Sequence, residues 1–243
     1  MIVLSVGMPR AGSGWHYNLI HDLMATTGCA EARDIREQYR LHKILTEVNC
    51  NIGVLSLRRL GMTLVPALMG NTFVIKAHSA PTRWSDLLIR RGMMRAIYIY
   101  RDPRDAMLSA YEYGQRSIEK GRPNFFSRLT NFEETFDFMS EYVRVWEGWM
   151  RQDKVLHARY EDLLMSYSTE TEHLIKYLQL DAADEDVKSV IERYRPGKAE
   201  AGQQGLHFFK GKIGRFREMY TNDQQAQMAE RFGKSLKKMG YEV

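Results

Sequence analysis

Four short apolar runs constrain this chain more than anything else in it. They are Ile2 to Val6, Phe73-Val74-Ile75, Ala96 to Tyr100 and, more weakly, Lys154 to Ala158. Short, mainly apolar runs of this length read as strands buried on both faces, the habit of a parallel sheet. Helical spacing lies between them. Trp15, Leu19, Leu23 and Met24 follow the first run; Phe132, Phe136, Met139, Val143, Trp146 and Met150 precede the fourth. Asn131 with Glu134, and Thr221 with Gln224, read as helix-starting capping boxes, the second helix continuing towards Lys238. The pattern predicts an α/β fold, a central parallel β-sheet flanked by helices. The 243 residues are 44% hydrophobic, enough for one sizeable core, and carry no repeat or Pro/Gly linker. A single domain over 1–243 is expected.

Charge and cysteine content narrow the class. Thirty-five basic against 30 acidic side chains leave +5, which favours anionic partners. The charges are scattered and poorly interleaved with aromatics, which speaks against nucleic acid as the partner. Cys29 and Cys50 form no disulfide framework and no Cys/His cluster suggests a metal, so a reducing, cytoplasmic location is expected, with no membrane partner. Residues 197–214 hold five glycines, and Arg195 to Arg217 hold six Lys/Arg against Glu200. Such a segment is a solvated loop or an anion-binding lid, here taken over about 197–216.

The first strand runs into Gly7-Met8-Pro9-Arg10-Ala11-Gly12-Ser13-Gly14-Trp15 and then a helix. Glycines let backbone N–H groups turn in around an anion, and the helix adds its positive dipole end. Arg10 adds a permanent charge, and Ser13 a hydroxyl or a helix N-cap. On its own the stretch is also an ordinary strand-to-helix turn. It is not a Walker A loop, because Ser13-Gly14-Trp15 stands where a lysine and a Ser or Thr would be required.

Pro9-Arg10-Ala11-Gly12-Ser13-Gly14-Trp15 resembles the 5′-phosphosulfate loop of sulfotransferases, P-K/R-S-G-T-T-W. Tyr98 to Ser109 is similar to the family's 3′-phosphate segment, with Arg101 closing a strand and Ser109 eight residues on. Val155 to Leu163 resembles the strand ending in Y-E-D-L, and Phe208 to Phe216 the R-K-G-x-x-G-D-W clamp. These matches stand in order from residue 2 to residue 216. The resemblance implies a P-loop-like nucleotide-binding core and 3′-phosphoadenosine 5′-phosphosulfate (PAPS) as co-substrate, with no metal. It implies that Arg10 holds the 5′-phosphate, with Ala11, Gly12, Ser13 and Gly14 cradling the phosphosulfate. Trp15 would stack on adenine and Tyr160 would touch its side. Arg101 and Ser109 would take the 3′-phosphate, under a clamp of Phe209, Lys210 and Gly211. The chain departs from the pattern at Gly14, where a threonine hydroxyl is usual. It departs again at Phe209, in place of the clamp arginine, and at Arg215-Phe216, in place of Asp-Trp. Lys212 and Arg215 are the substitute cations. The family's short dimerisation stretch matches poorly, so the oligomeric state is open.

Lys76-Ala77-His78 follows a strand, where parallel sheets place their sites. It resembles the family's K-x-H element. A histidine suits proton abstraction near neutral pH, and Lys76 would meet the charge developing on the bridging oxygen. His78, Lys76 and Arg10 are thus the expected catalytic residues, with Glu112 a weaker candidate base. The acceptor, a small organic molecule, is expected between residues 28–72 and 111–130, which mix aliphatic, aromatic and basic residues such as Tyr39, His42, Leu45, Tyr113, Phe125 and Phe126. Two alternatives stand beside this reading. One is an ATP-dependent small-molecule or nucleotide kinase on a related fold. The other is a non-catalytic anion or nucleic-acid binding protein.

Overall fold

The computed structural model describes residues 1–197 and 212–243. In chain order it contains β1 (Ile2–Gly7), α1 (Ser13–Ala25), α2 (Ala32–Gln38), α3 (Leu57–Leu68), β2 (Phe73–Ala77), α4 (Arg83–Arg90), β3 (Met94–Tyr100) and α5 (Pro103–Glu119). There follow a 3₁₀ turn (Phe125–Arg128), α6 (Phe132–Trp149), β4 (Leu156–Arg159), α7 (Tyr160–Met165), α8 (Tyr167–Leu178), α9 (Glu185–Tyr194), α10 (Phe216–Met219) and α11 (Asn222–Met239).

The four strands form one parallel sheet in the order β2-β1-β3-β4. Every residue of β1 and β2 is buried, which is why their sequences are mainly apolar, broken by Ser5 and Lys76. β4 is an edge strand with only Ala158 fully buried, and its apolar signal is correspondingly weak. Side chains alternate across the sheet. Val3, Val74, Ile97 and Ile99 pack under residues of α1, α7, α8 and α9. Ile2, Leu4, Val6, Phe73, Ile75, Ala96 and Tyr98 pack under α5, α6 and α11, with Leu88 and Ile89 of α4. The expected α/β architecture is therefore present. Among the described residues no helix is long and apolar enough to cross a membrane.

The helix starts follow the sequence with two corrections. At α11, Thr221 and Gln224 form the full reciprocal box. At α6 only half of the expected box forms. The Asn131 side chain accepts the Glu134 N–H at 2.9 Å, but the Glu134 carboxylate takes the Thr130 N–H at 2.7 Å and its hydroxyl at 2.9 Å. Thr130 offers two donors together, and the carboxylate goes to both. At α1 the N-cap is Gly12, not Ser13: its φ of 74° is left-handed, which glycine adopts without strain.

The order of the strands positions the site. The chain leaves β1 towards β2 on one side and leaves β3 towards β4 on the other, so the strand order reverses between β1 and β3. The crevice at the carboxyl ends of two such strands is where open α/β sheets bind ligands. Here those ends carry the 8–12 loop and Arg101. The Met8 N–H bonds the Ile99 carbonyl at 2.9 Å and holds the two together.

Candidate active site

The 8–12 loop is built for close approach. A Cβ on Gly7 would come within 2.7 Å of Ser13 Cβ and 2.9 Å of Ile99 Cγ2, and one on Gly12 within 2.7 Å of the Tyr160 ring. Ala11, Ser13 and Trp15 are buried, and Gly12 and Gly14 half-buried. The first helical N–H groups, including those of Ser13 and Gly14, have no carbonyl one turn back to bond, since the intrahelical ladder begins with His16 N–H to Gly12 O at 3.0 Å. A helix N-terminus with glycine-spaced amides is an anion cradle.

Three cations converge on this crevice. Arg10, itself left-handed at φ 65°, donates from Nε to Ser109 Oγ at 3.2 Å and lies 4.3 Å over the Tyr113 ring and 5.8 Å from that of Phe126. Burial pushes its guanidinium down to about 10, with Tyr113 opposing and Arg116 and Arg101 adding repulsion. Lys76, near the end of β2, is 6% exposed and its Nζ sits 5.9 Å from the Tyr17 ring. Burial, then the charge of Arg10, pushes its ammonium down to about 8. Among the described residues no carboxylate pairs with it.

The third cation, Arg101, is 8% exposed. Its Nη2 donates to the Lys212 carbonyl at 3.1 Å and to Asp105 Oδ2 at 3.4 Å, and its guanidinium lies 4.7 Å over the Tyr160 ring. Its Nε is buried and has no hydrogen-bond partner among the described residues, Glu161 Oε1 being 4.0 Å away. A buried, unsatisfied guanidinium donor is costly unless an anion takes it.

His78 completes the constellation. Half-buried, it donates from Nδ1 to the Gly7 carbonyl at 2.6 Å. A carbonyl accepts only, so Nδ1 carries the proton and Nε2 keeps its lone pair. Burial, then the Lys76 charge, pushes the imidazole down to about 4 against the pull of the Gly7 carbonyl, so it is neutral near pH 7. The strand-end carbonyl thus both orients the ring and leaves its other nitrogen basic.

The remaining expected residues sort as follows. Tyr160, at the start of α7, packs against Gly12 and edge-on to Trp15, with ring centroids 6.4 Å apart. Trp15 is 3% exposed, stacks on Tyr167 at 6.1 Å and donates from Nε1 to the Tyr194 carbonyl at 3.1 Å. Glu112 forms a two-pronged ion pair with Arg215, one contact at 3.1 Å. That pairing takes up both the weaker candidate base and one of the substitute cations. Phe209, Lys210 and Gly211, and most of the expected lid, lie outside the described residues.

Sequence reasoning missed the carboxylates around Arg101. Asp105 is 2% exposed; its Oδ2 accepts the Gly214 N–H at 2.7 Å and its Oδ1 the Phe216 N–H at 3.1 Å. Glu161 is 5% exposed and accepts the Asp102 N–H at 3.2 Å and the Tyr241 hydroxyl at 2.6 Å. The available signals were the i+4 spacing of Asp105 from Arg101 and the glutamate of the Y-E-D-L match.

Comparison with known proteins gives the family and the fold. A family model described as a sulfotransferase domain matches residues 2–240, and the chain belongs to that family. Mouse sulfotransferase 4A1 is 26% identical over 184 residues, 73% of this chain and 63% of that protein. The chain thus spans a little under two thirds of that curated relative. A rabbit amine sulfotransferase is 21% identical over 110 residues, 42% of this chain and 36% of that protein. Two solved structures share the fold. Retinol dehydratase, complexed with androsterone and the inactive cofactor PAP, superposes with a TM-score of 0.64 at 16% identity, covering 97% of this chain and 80% of that one. Mouse sulfotransferase SULT7A1 with PAP superposes with a TM-score of 0.58 at 14% identity, covering 97% and 84%.

Proposed function

We propose that this single-domain chain is a PAPS-dependent sulfotransferase, cytoplasmic, acting on a hydroxyl or amine of a small organic acceptor. The observation that carries the reading is the bond from His78 Nδ1 to the Gly7 carbonyl. It puts the ring proton on Nδ1, while burial and the Lys76 charge keep the imidazole neutral and Nε2 a base, beside an anion cradle and an ammonium with which no carboxylate pairs among the described residues.

Each residue then has a task. His78 Nε2 removes the acceptor's proton as the acceptor oxygen or nitrogen bonds to sulfur and the sulfur–oxygen bond to the phosphate breaks. The electron pair leaves with the phosphate oxygen, giving the sulfated product and adenosine 3′,5′-bisphosphate. Lys76 and Arg10 stabilise the charge growing on that oxygen. The backbone of Ala11, Gly12, Ser13 and Gly14 cradles the phosphosulfate, and Arg101 Nε with Ser109 receives the 3′-phosphate. Tyr160 borders the adenine end. Trp15, lying on Tyr167, offers the base an edge rather than a whole face. Phe209, Lys210 and Gly211 remain the proposed clamp by resemblance alone. Tyr113 and Phe125, 36% and 53% exposed beside Arg10 and Phe126, suit an apolar or aromatic acceptor. The reading requires no metal, nucleic acid or membrane.

Calorimetric titration tests it. Adenosine 3′,5′-bisphosphate should bind without metal at micromolar affinity, and AMP and Mg-ATP should bind much more weakly. Preference for Mg-ATP would move the assignment to a kinase, and silence from all three would leave no nucleotide-dependent activity to assign.

A further inference from the structure

We infer that Asp105 is a specificity-determining positioning residue: its carboxylate presets Arg101 for a 3′-phosphate and locks the 212–216 backbone to the same event. The inference rests on the proposed role of Arg101. Asp105 sits one helical turn after Arg101, buried at the start of α5, and serves three donors at once. Oδ2 takes the Gly214 N–H at 2.7 Å and Arg101 Nη2 at 3.4 Å, while Oδ1 takes the Phe216 N–H at 3.1 Å. The same Nη2 donates to the Lys212 carbonyl at 3.1 Å. One edge of the guanidinium is therefore consumed by Asp105 and by the segment that Asp105 holds. The Tyr160 ring covers a face of it at 4.7 Å. The Arg101 Nε, in contrast, is buried and unpartnered among the described residues. Asp105 touches no expected ligand atom; it determines which arginine donors remain for one.

An asparagine cannot do this. Its amide has one acceptor and one donor group, so either Phe216 N–H, or Gly214 N–H with Arg101, would face an NH₂. Glu112 supplies the control. It tethers the same segment through Arg215, and no ion pair or hydrogen bond among the described residues joins it to Arg101.

The experiment measures the affinities of the full chain for adenosine 3′,5′-bisphosphate and AMP in wild type, Asp105→Asn and Glu112→Gln. Asp105→Asn should lower the bisphosphate-to-AMP affinity ratio by about tenfold or more, the scale of one lost charge-assisted hydrogen bond. AMP affinity should move less than about twofold, and Glu112→Gln should keep the ratio. An unchanged ratio in Asp105→Asn overturns the inference. So does an increase, which would make Asp105 a mere counter-charge, or an equal fall in both variants, which would make it a tether. A wild type without preference for the bisphosphate overturns the Arg101 reading, and this inference with it. Hydrogen exchange on the wild type gives a result that no folding defect can obscure. The bisphosphate should slow the Gly214 and Phe216 amides and AMP should not; equal slowing by both overturns the inference.

Discussion

Binding of adenosine 3′,5′-bisphosphate should draw in a proton at Lys76. The ammonium is 6% exposed and is pushed down to about 8 by burial and by Arg10, so near pH 8 about half of the free protein carries it neutral. A phosphate in the loop cradle reverses this. For a contact of about 4 Å at an effective dielectric near 20, the attraction is about 4 kcal/mol, or about three pKa units. The complex then keeps Lys76 charged to roughly pH 11. Above about pH 8 the complex holds more protons than the free protein, so affinity falls as pH rises, at up to about tenfold per unit. At about pH 8.5 the uptake is about 0.75 proton, by the same titration arithmetic. The ligand's phosphates, with second ionisations near 6, are already fully charged there and contribute nothing. Calorimetry in buffers of different ionisation enthalpy reads the proton count directly. Lys76→Met should bring it close to zero and flatten the pH dependence. A heat independent of buffer in the wild type would refute the reasoning, and so would an equal proton count in Lys76→Met.

Gly12→Ala should damage both fold and site. The left-handed φ of 74° costs an alanine about 1–2 kcal/mol, and its Cβ would press on the Tyr160 ring at 2.7 Å. A melting temperature lowered by several degrees, with loss of bisphosphate binding, is the expected result of thermal unfolding and titration; unchanged values would mean that the loop rebuilds freely. Stability should also depend on two buried neutral histidines. His16, 1% exposed, is pushed down to about 3 by burial and Lys76, and His78 to about 4. Both values lie below the ordinary 6.5, so the unfolded chain binds more protons and stability rises with pH. The contribution is complete above about pH 6.5 and is lost as pH falls, by about 2 kcal/mol per histidine at about pH 5. His21 runs the other way, because hydrogen bonding to Asp22 and the charge of Glu31 raise it. Denaturant unfolding of wild type and His16→Gln at about pH 7 and pH 5 isolates one term; equal losses in both would refute it.

The sheet was legible because burial on both faces leaves β1, β2 and β3 few polar positions (Ser5, Lys76 and Arg95), and the chain itself shows them as mainly apolar runs. Residues 28–72 were not legible. Their contribution to the sheet is two isolated pairings, Ala30 with Phe73 and Asn51 with Lys76, and no local pattern announces a single bridge. In the site, residues that end strands could be found from order alone: Lys76, His78, Arg101 and the 8–12 loop all close an apolar run. Asp105 and Glu161 looked like ordinary acids in a helix's first turn, favourable to its dipole. Their partners lie far along the chain, at Gly214, Phe216 and Tyr241. Trp15 shows the converse limit. Its motif place suggests a ligand-facing ring, while Tyr167 and the Tyr194 carbonyl, supplied by α8 and α9, engage it from within the fold.

These illegible carboxylates explain how the fold tolerates its own site. Arg10, Lys76 and Arg101 are neighbouring cations held largely out of water, and desolvation, with charge repulsion added, pushes Arg10 and Lys76 down. Burying a charge without a partner is expensive, and among the described residues Arg101 is the one of the three with a carboxylate ion pair. Arg10 is left with a serine hydroxyl and an aromatic face, and Lys76 with an aromatic ring at 5.9 Å. The division matches the two ends of the proposed donor. At the 3′ end the protein keeps resident anions and spends them on holding the arginine in place. At the reacting end it keeps none, because any fixed carboxylate there would oppose the charge that develops on the leaving phosphate oxygen.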